Sequence, residues 1–297
     1  MTGATDSGLR FAASSGQGAL LAKRTAGRAC TLVCLLNYAD QADHWKFAAA
    51  VASAVSGLGG SIRWQGRVHQ PLNNAVFDWR EAVLIDLPDG RVWPQLQADA
   101  RWRQAQDLLA ALEIRVGLMP PLLARILAVL GGLFRMLPLS SAASEKSVAS
   151  QCLGDLDPIE ARYNAMRARD SGQPIVIMNF HKFRERSAYP DDAPESHKGL
   201  SGQQAYLRYG RRAVRVILGR GNRPVFVGTY LLTLVGNDGE ASPDLYDDIT
   251  LMQYLSGPEF AACFELRVMD GAADHRRAGL AHCMFAVTEP DAQFILR

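Results

Sequence analysis

The stretch Ile175–Phe183, IVIMNFHKF, decides how this chain is read. It is an apolar, β-branched run of strand length that carries Asn179, His181 and Lys182 toward its end. Alternation along a strand puts Ile177, Asn179, His181 and Phe183 on one face and Val176, Met178, Phe180 and Lys182 on the other. A polar pair therefore sits in a segment otherwise made for burial. Met178 and Phe180 suit the face beneath covering helices, which assigns Asn179 and His181 to a cavity on the opposite face.

Working outward, 202–218 reads as a helix, 223–235 and 247–255 as strands, 258–273 as a helix with Pro258 in its first turn, and 281–288 as a last strand. The order is βαββαβ. The first half repeats it: strand 30–38, helix 42–58 stopped by Gly59 and Gly60, strands 61–68 and 79–87, helix 93–112 and a short closing strand at 113–119. Three local matches support a duplication. LLNY at 35–38 aligns with IMNF at 177–180, bringing Asn37 opposite Asn179. WQGR at 64–67 aligns with FVGT at 226–229, and WREAVLIDLPDGRVW at 79–93 aligns without a gap with YDDITLMQYLSGPEF at 246–260.

A chain of 297 residues is comfortable for two domains of about 100 to 150 residues each. With 21% charged residues and a net charge of +2, it lacks the basic excess of a dedicated nucleic-acid binder. Its five cysteines are scattered without a C-x-x-C pair, as expected of thiols in a reducing cytoplasm. Residues 1–28 read as a flexible N-terminal arm. Residues 29–119 form the degenerate first copy, 120–139 an apolar helix, 140–171 a linker with a short helix capped by Asp157, and 172–297 the second copy. Segment 120–139, PPLLARILAVLGGLFRMLPL, is apolar nearly all round, and Arg125 and Arg135 argue against a bilayer span. It fits either a helix buried against the first sheet or a helix lying in a membrane interface.

The second half resembles a ferredoxin-like family of unknown function in the dimeric α+β-barrel superfamily. The residues that carry the resemblance are NFHKF at 179–183, GQQAYLRY at 202–209, VGTY at 227–230, Asp247-Asp248, YLSGPEF at 254–260 and DHRRAGL at 274–280. His181 departs from the aliphatic residue expected there, and the loop after it, with Pro190 and Pro194, is long. The resemblance implies a four-stranded sheet with both helices on one face, the other face meeting a second sheet around a cavity. Because this chain carries two copies, the expected architecture is α+β: tandem ferredoxin-like βαββαβ repeats packed sheet to sheet as an intramolecular α+β barrel, a pseudo-dimer that is a monomer. Relatives in the superfamily include cofactor-free monooxygenases, haem enzymes, cyclases and simple binders, so fold alone does not select a reaction.

The candidate catalytic residues are His181, as general base, and Asn179, as carbonyl or oxyanion donor. Tyr206, Arg276, His282 and Asn37 are candidate substrate contacts. The first three have a structural reading beside the functional one: Tyr206 as a core aromatic, Arg276 as part of a cationic helix end, His282 as a strand histidine. Asp247 and Asp248, adjacent on a strand, point to opposite faces and form no carboxylate pair. No metal-binding spacing is present and no cofactor is indicated, although a haem needs only one histidine and stays open. Two functions follow. One is a cofactor-independent enzyme acting by proton transfer, isomerisation, cyclisation or oxygenation on a small, hydrophobic or aromatic oxygenated molecule in the inter-sheet cavity. The other is a non-catalytic binder of a hydrophobic ligand, with 120–139 available to a membrane surface.

Overall fold

The computed structural model describes residues 11–120, 122–137, 142–144, 152, 154–236 and 245–296. It opens with α1 (Ser15–Thr25), closed at its start by a capping box between Ser14 and Gln17. Leu21 of α1 is fully buried in the first hydrophobic core, so this part of the expected flexible arm is a docked helix. The first repeat follows as β1 (Cys30–Tyr38), α2 (Lys46–Gly57), β2 (Ser61–Pro71), β3 (Glu81–Leu87), α3 (Trp93–Ala98), α4 (Ala100–Gln106) and β4 (Leu109–Leu118). Two connecting helices, α5 (Leu123–Met136) and α6 (Glu160–Arg167), lead into the second repeat. This comprises β5 (Ile175–Phe183), α7 (Gly202–Gly219), β6 (Arg223–Val235), β7 (Asp248–Tyr254), α8 (Gly257–Phe264), α9 (Ala272–Gly279) and β8 (Leu280–Pro290).

Within each repeat the sheet order is the ferredoxin-like one, β4-β1-β3-β2 and β8-β5-β7-β6, with antiparallel neighbours. The last strand of each repeat then pairs with the second strand of the other, β4 with β6 and β8 with β2. Eight strands among the described residues thus close a barrel within one chain, which removes the open sheet edges a half-barrel would expose.

An eight-stranded barrel is just wide enough for side chains to fill it. Trp64, Phe77, Met178, Phe180, Phe226 and Leu251 belong to the interior cluster and are buried. Trp64 and Phe226 occupy equivalent places, each folded over the glycine two residues on. A Cβ on Gly66 would lie 2.3 Å from the Trp64 ring, and one on Gly228 would lie 2.7 Å from the Phe226 ring. This internal agreement bears out the alignment of WQGR with FVGT. An added methyl at either glycine would overpack the interior at a cost of about 1–3 kcal/mol.

Several expectations change. The helix expected over 93–112 breaks at Asp99, whose side chain accepts from Arg101 N and caps α4, and Leu109 to Leu112 join β4 because that strand must reach both β1 and β6. The helix expected over 258–273 likewise splits into α8 and α9. Helix α6 is capped at Ile159, and Asp157 is used elsewhere. The helix in 120–139 packs not on the first sheet but on the second repeat: Leu127, Leu130 and Phe134 join the core under α7, and the α5 backbone at Gly131 approaches Leu218.

Candidate functional site

The phase of β5 is opposite to the expected one. Val176, Met178 and Phe180 point into the barrel, whereas Ile175, Ile177 and Phe183 face the α7 and α9 side. Asn179 and His181 are in phase with Ile177 and so lie outside the barrel, beneath the helices. The inter-sheet cavity expected to hold them is instead packed core. A cavity exists on their side: about 650 Å³ between α5, α7 and the outer face of β5 and β7, lined by Asn179, His181, Tyr206, Asp248, Met252 and Arg276 among others. Its size is that of a small-molecule site.

Antiparallel pairing places His181 directly opposite Asp248 at the start of β7. His181 is 2% exposed, and its Nδ1 lies 2.6 Å from Asp248 Oδ1, whose side chain is 28% exposed. A carboxylate accepts only, so in the neutral imidazole the proton sits on Nδ1 and the lone pair on Nε2. The Tyr206 hydroxyl lies 3.2 Å from that Nε2 and 3.5 Å from Nδ1, so it sits against the face of the imidazole, with the two ring centroids 4.8 Å apart. Tyr206 is set on the second turn of α7, a helix fixed at its start by a capping box in which Ser201 Oγ accepts from Gln204 N at 3.1 Å and Gln204 Oε1 accepts from Ser201 N at 2.9 Å. Burial, reinforced by the Asp248 charge, raises the Tyr206 phenol well above its ordinary range. The phenol therefore stays protonated at neutral pH and can donate a hydrogen bond.

Arg276 lines the same cavity from the last turn of α9, with its guanidinium engaged. Nη1 donates to Leu156 O at 2.5 Å and to Asp157 Oδ1 at 3.2 Å, Nη2 contacts Cys283 Sγ at 3.2 Å, and the group lies 5.1 Å from the Phe285 ring centroid. Asp157, 3% exposed, also accepts from Arg277 Nε at 2.5 Å. Two arginines on one buried carboxylate pin the 154–158 segment against α9. The loop after β5 is held to the same helix, since Tyr189 OH lies 2.7 Å from His275 Nδ1 and Ala188 N donates to Ala278 O.

Two expected contacts lie elsewhere. Asn37 is in phase with Val33 and Leu35, on the barrel-interior side of β1, and donates to Asp78 O at 2.7 Å. It is therefore not the counterpart of Asn179. His282 is in phase with Met284 and Ala286, as expected, but that is the barrel-interior side. It is exposed at the end of β8 against the Tyr246 ring, 5.2 Å between centroids, on the face opposite to Asn179.

Comparing Asp248 only with Asp247, along their own strand, misses its role. The signal is present in the repeat: the alignment of 79–93 with 246–260 pairs Asp248 with Glu81, a carboxylate in both copies. Among the described residues no group of three or more His, Cys, Asp and Glu is placed to hold a metal.

No protein-family model matches the chain, and no curated protein does. Among solved structures, a protein of unknown function from Rhodopseudomonas palustris is similar at 28% identity over 46% of this chain and 96% of its own, with a TM-score of 0.39. Chlorite dismutase from Candidatus Nitrospira defluvii, in complex with imidazole, is similar at 12% identity over 88% of this chain and 91% of its own, with a TM-score of 0.40. A point mutant of that enzyme is similar at 12% identity over 93% of this chain and 96% of its own, with a TM-score of 0.38. The strand order itself makes this chain a closed α+β barrel, with both ferredoxin-like halves supplied by a single polypeptide.

Proposed function

We propose that the chain binds a small, largely apolar molecule carrying a carbonyl group in the cavity between α7 and the outer face of β5 and β7, and moves a proton on it. The observation that carries this reading is the Asp248–His181–Tyr206 series at the cavity wall, with His181 Nε2 as the free base position. On ligand entry the Tyr206 hydroxyl turns from the imidazole face to donate to the carbonyl oxygen, leaving Nε2 toward the ligand. Nε2 then takes the proton from the adjacent C–H, and the electron pair moves onto the oxygen, which Tyr206 and Asn179 hold as an enolate. Asp248 keeps Nδ1–H in place and stabilises the imidazolium. Return of the proton to the same or a neighbouring carbon completes an exchange or an isomerisation without any cofactor.

The test is hydrogen–deuterium exchange at the α-carbon of a medium-chain methyl ketone, followed by proton NMR in heavy water. The wild-type chain should accelerate exchange, and His181→Gln should lose about a hundredfold or more of that acceleration. Saturable binding without exchange would instead support the second reading, a non-catalytic binder of hydrophobic ligands, which rests on the apolar lining supplied by α5. Closure of both half-barrels in one chain supports a monomer in solution. The unpaired cysteines among the described residues fit a reducing cytoplasm. No helix among the described residues is long and apolar enough to cross a membrane.

A further inference from the structure

Helix α5 is apolar on two sides, and only one of them is used. Leu127, Leu130 and Phe134 face the second core and roof the cavity. The opposite side leaves Leu122, Ile126, Val129, Leu133, Met136 and Leu137 exposed, Val129 at 71% and Met136 at 82%. Steps of four and three residues put these side chains on one continuous stripe. A stripe of six large apolar residues on one surface helix is a patch of the kind that marks an interaction surface. Leu207 of the neighbouring α7 is also exposed and lines the cavity beside it.

The charge around the stripe has one sign. Arg125 and Arg135 on α5, and Arg211, Arg212 and Arg215 on α7, are exposed. Neither helix contains an aspartate or glutamate, although the chain as a whole carries a net charge of only +2. Arg212 donates to Asp270 O, while Arg125, Arg135, Arg211 and Arg215 form no ion pair among the described residues. From this pairing of an unused apolar stripe with an all-cationic flank, we propose that the α5–α7 surface docks on an anionic lipid bilayer, α5 lying in the interface plane. The apolar side chains sink into the headgroup and acyl boundary, and the arginine stems lie along the surface with their guanidinium groups on lipid phosphates. A second copy of the chain is a poorer occupant, because apposing two such surfaces brings like charges together with no carboxylate on either helix to offset them. The surface is independent of the proton-transfer chemistry assigned to His181.

The test is co-sedimentation of the full chain with phosphatidylserine-containing vesicles and with pure phosphatidylcholine vesicles. Binding to the anionic vesicles, and weaker binding to the neutral ones, is expected. Val129→Ser with Met136→Ser, at positions that face solvent, should weaken binding more than tenfold while thermal unfolding stays unchanged. Arg211→Gln with Arg215→Gln should weaken it by about an order of magnitude and flatten its dependence on salt. Folded protein that stays in the supernatant with both vesicle types overturns the proposal. So does sedimentation indifferent to both variants. A concentration-dependent dimer that Val129→Ser with Met136→Ser disrupts, seen without vesicle binding, assigns the stripe to a second copy and overturns it as well.

Discussion

Glu81 and Asp248 occupy the same place in the two repeats, and their surroundings differ. Each begins the third strand of its sheet and points under the helices. Glu81 is 0% exposed, and protein donors surround it: Tyr38 OH at 2.8 Å, Gln65 Nε2 at 2.8 Å and Trp45 N at 3.1 Å. Asp248 holds His181 at 2.6 Å and otherwise borders the cavity. The residue that makes the difference can be named. Gln65, which completes the shell of Glu81, corresponds in the repeat alignment to Val227, which offers no donor and lines the cavity. The shell of Glu81 is complete within the protein, whereas Asp248 holds an imidazole that borders a cavity.

The largest expected effect follows from that contrast. Glu81→Ala strands a tyrosine hydroxyl, an amide and a backbone N–H in a closed core and should cost about 3–5 kcal/mol of stability. Asp248→Ala leaves a single ring N–H without its acceptor at the cavity wall and should cost about 1–2 kcal/mol. Chemical denaturation of both variants checks this, and equal losses would break the comparison. Next in size is a transplant: Val227→Gln should donate to Asp248 as Gln65 does to Glu81 and fill part of the cavity. Affinity for a methyl ketone should then fall about tenfold with the fold intact, and unchanged affinity would show that Val227 does not keep the cavity open.

The repeat was readable in the sequence where a physical constraint imprinted it. Trp64 over Gly66 and Phe226 over Gly228 are such places, because the barrel interior admits the aromatic only if the second residue has no side chain. The phase of β5 was not readable. Strands β1 and β5 are buried on both faces, one in the barrel and one under helices, so the alternation that normally separates a wet face from a dry one is missing. Aligning Asn37 with Asn179 followed from local likeness, and an odd-numbered slip reversed the face of every residue. Pairing with β3 and β7 sets the true correspondence, Leu36 opposite Glu81 and His181 opposite Asp248. The dependence of His181 on Asp248 is a cross-strand fact, visible only once the antiparallel neighbour is known.

A smaller effect concerns pH. Burial raises the phenols of Tyr206 and Tyr254 well above their ordinary range. In the unfolded chain they ionise near pH ~10, so above that value the unfolded state has given up protons that the folded state retains. Their contribution is complete below pH ~10 and declines as pH rises further. Tyr206→Phe should therefore lose less stability than the wild type between about pH 9 and pH 11 in thermal unfolding, and parallel curves would contradict the burial argument.

A titration of the full chain with a medium-chain methyl ketone, read on nitrogen-15 NMR signals, locates the ligand most directly. The His181 ring nitrogens report the outer cavity, and the indole Nε1 of Trp64, buried and without a hydrogen-bond partner, reports the barrel interior. Saturable shifts of the His181 signals are expected, with a midpoint about tenfold higher in Val227→Gln, and the Trp64 signal unmoved. A saturable shift of Trp64 with His181 unmoved would place the ligand inside the barrel and contradict the assignment of the site to the outer face of β5.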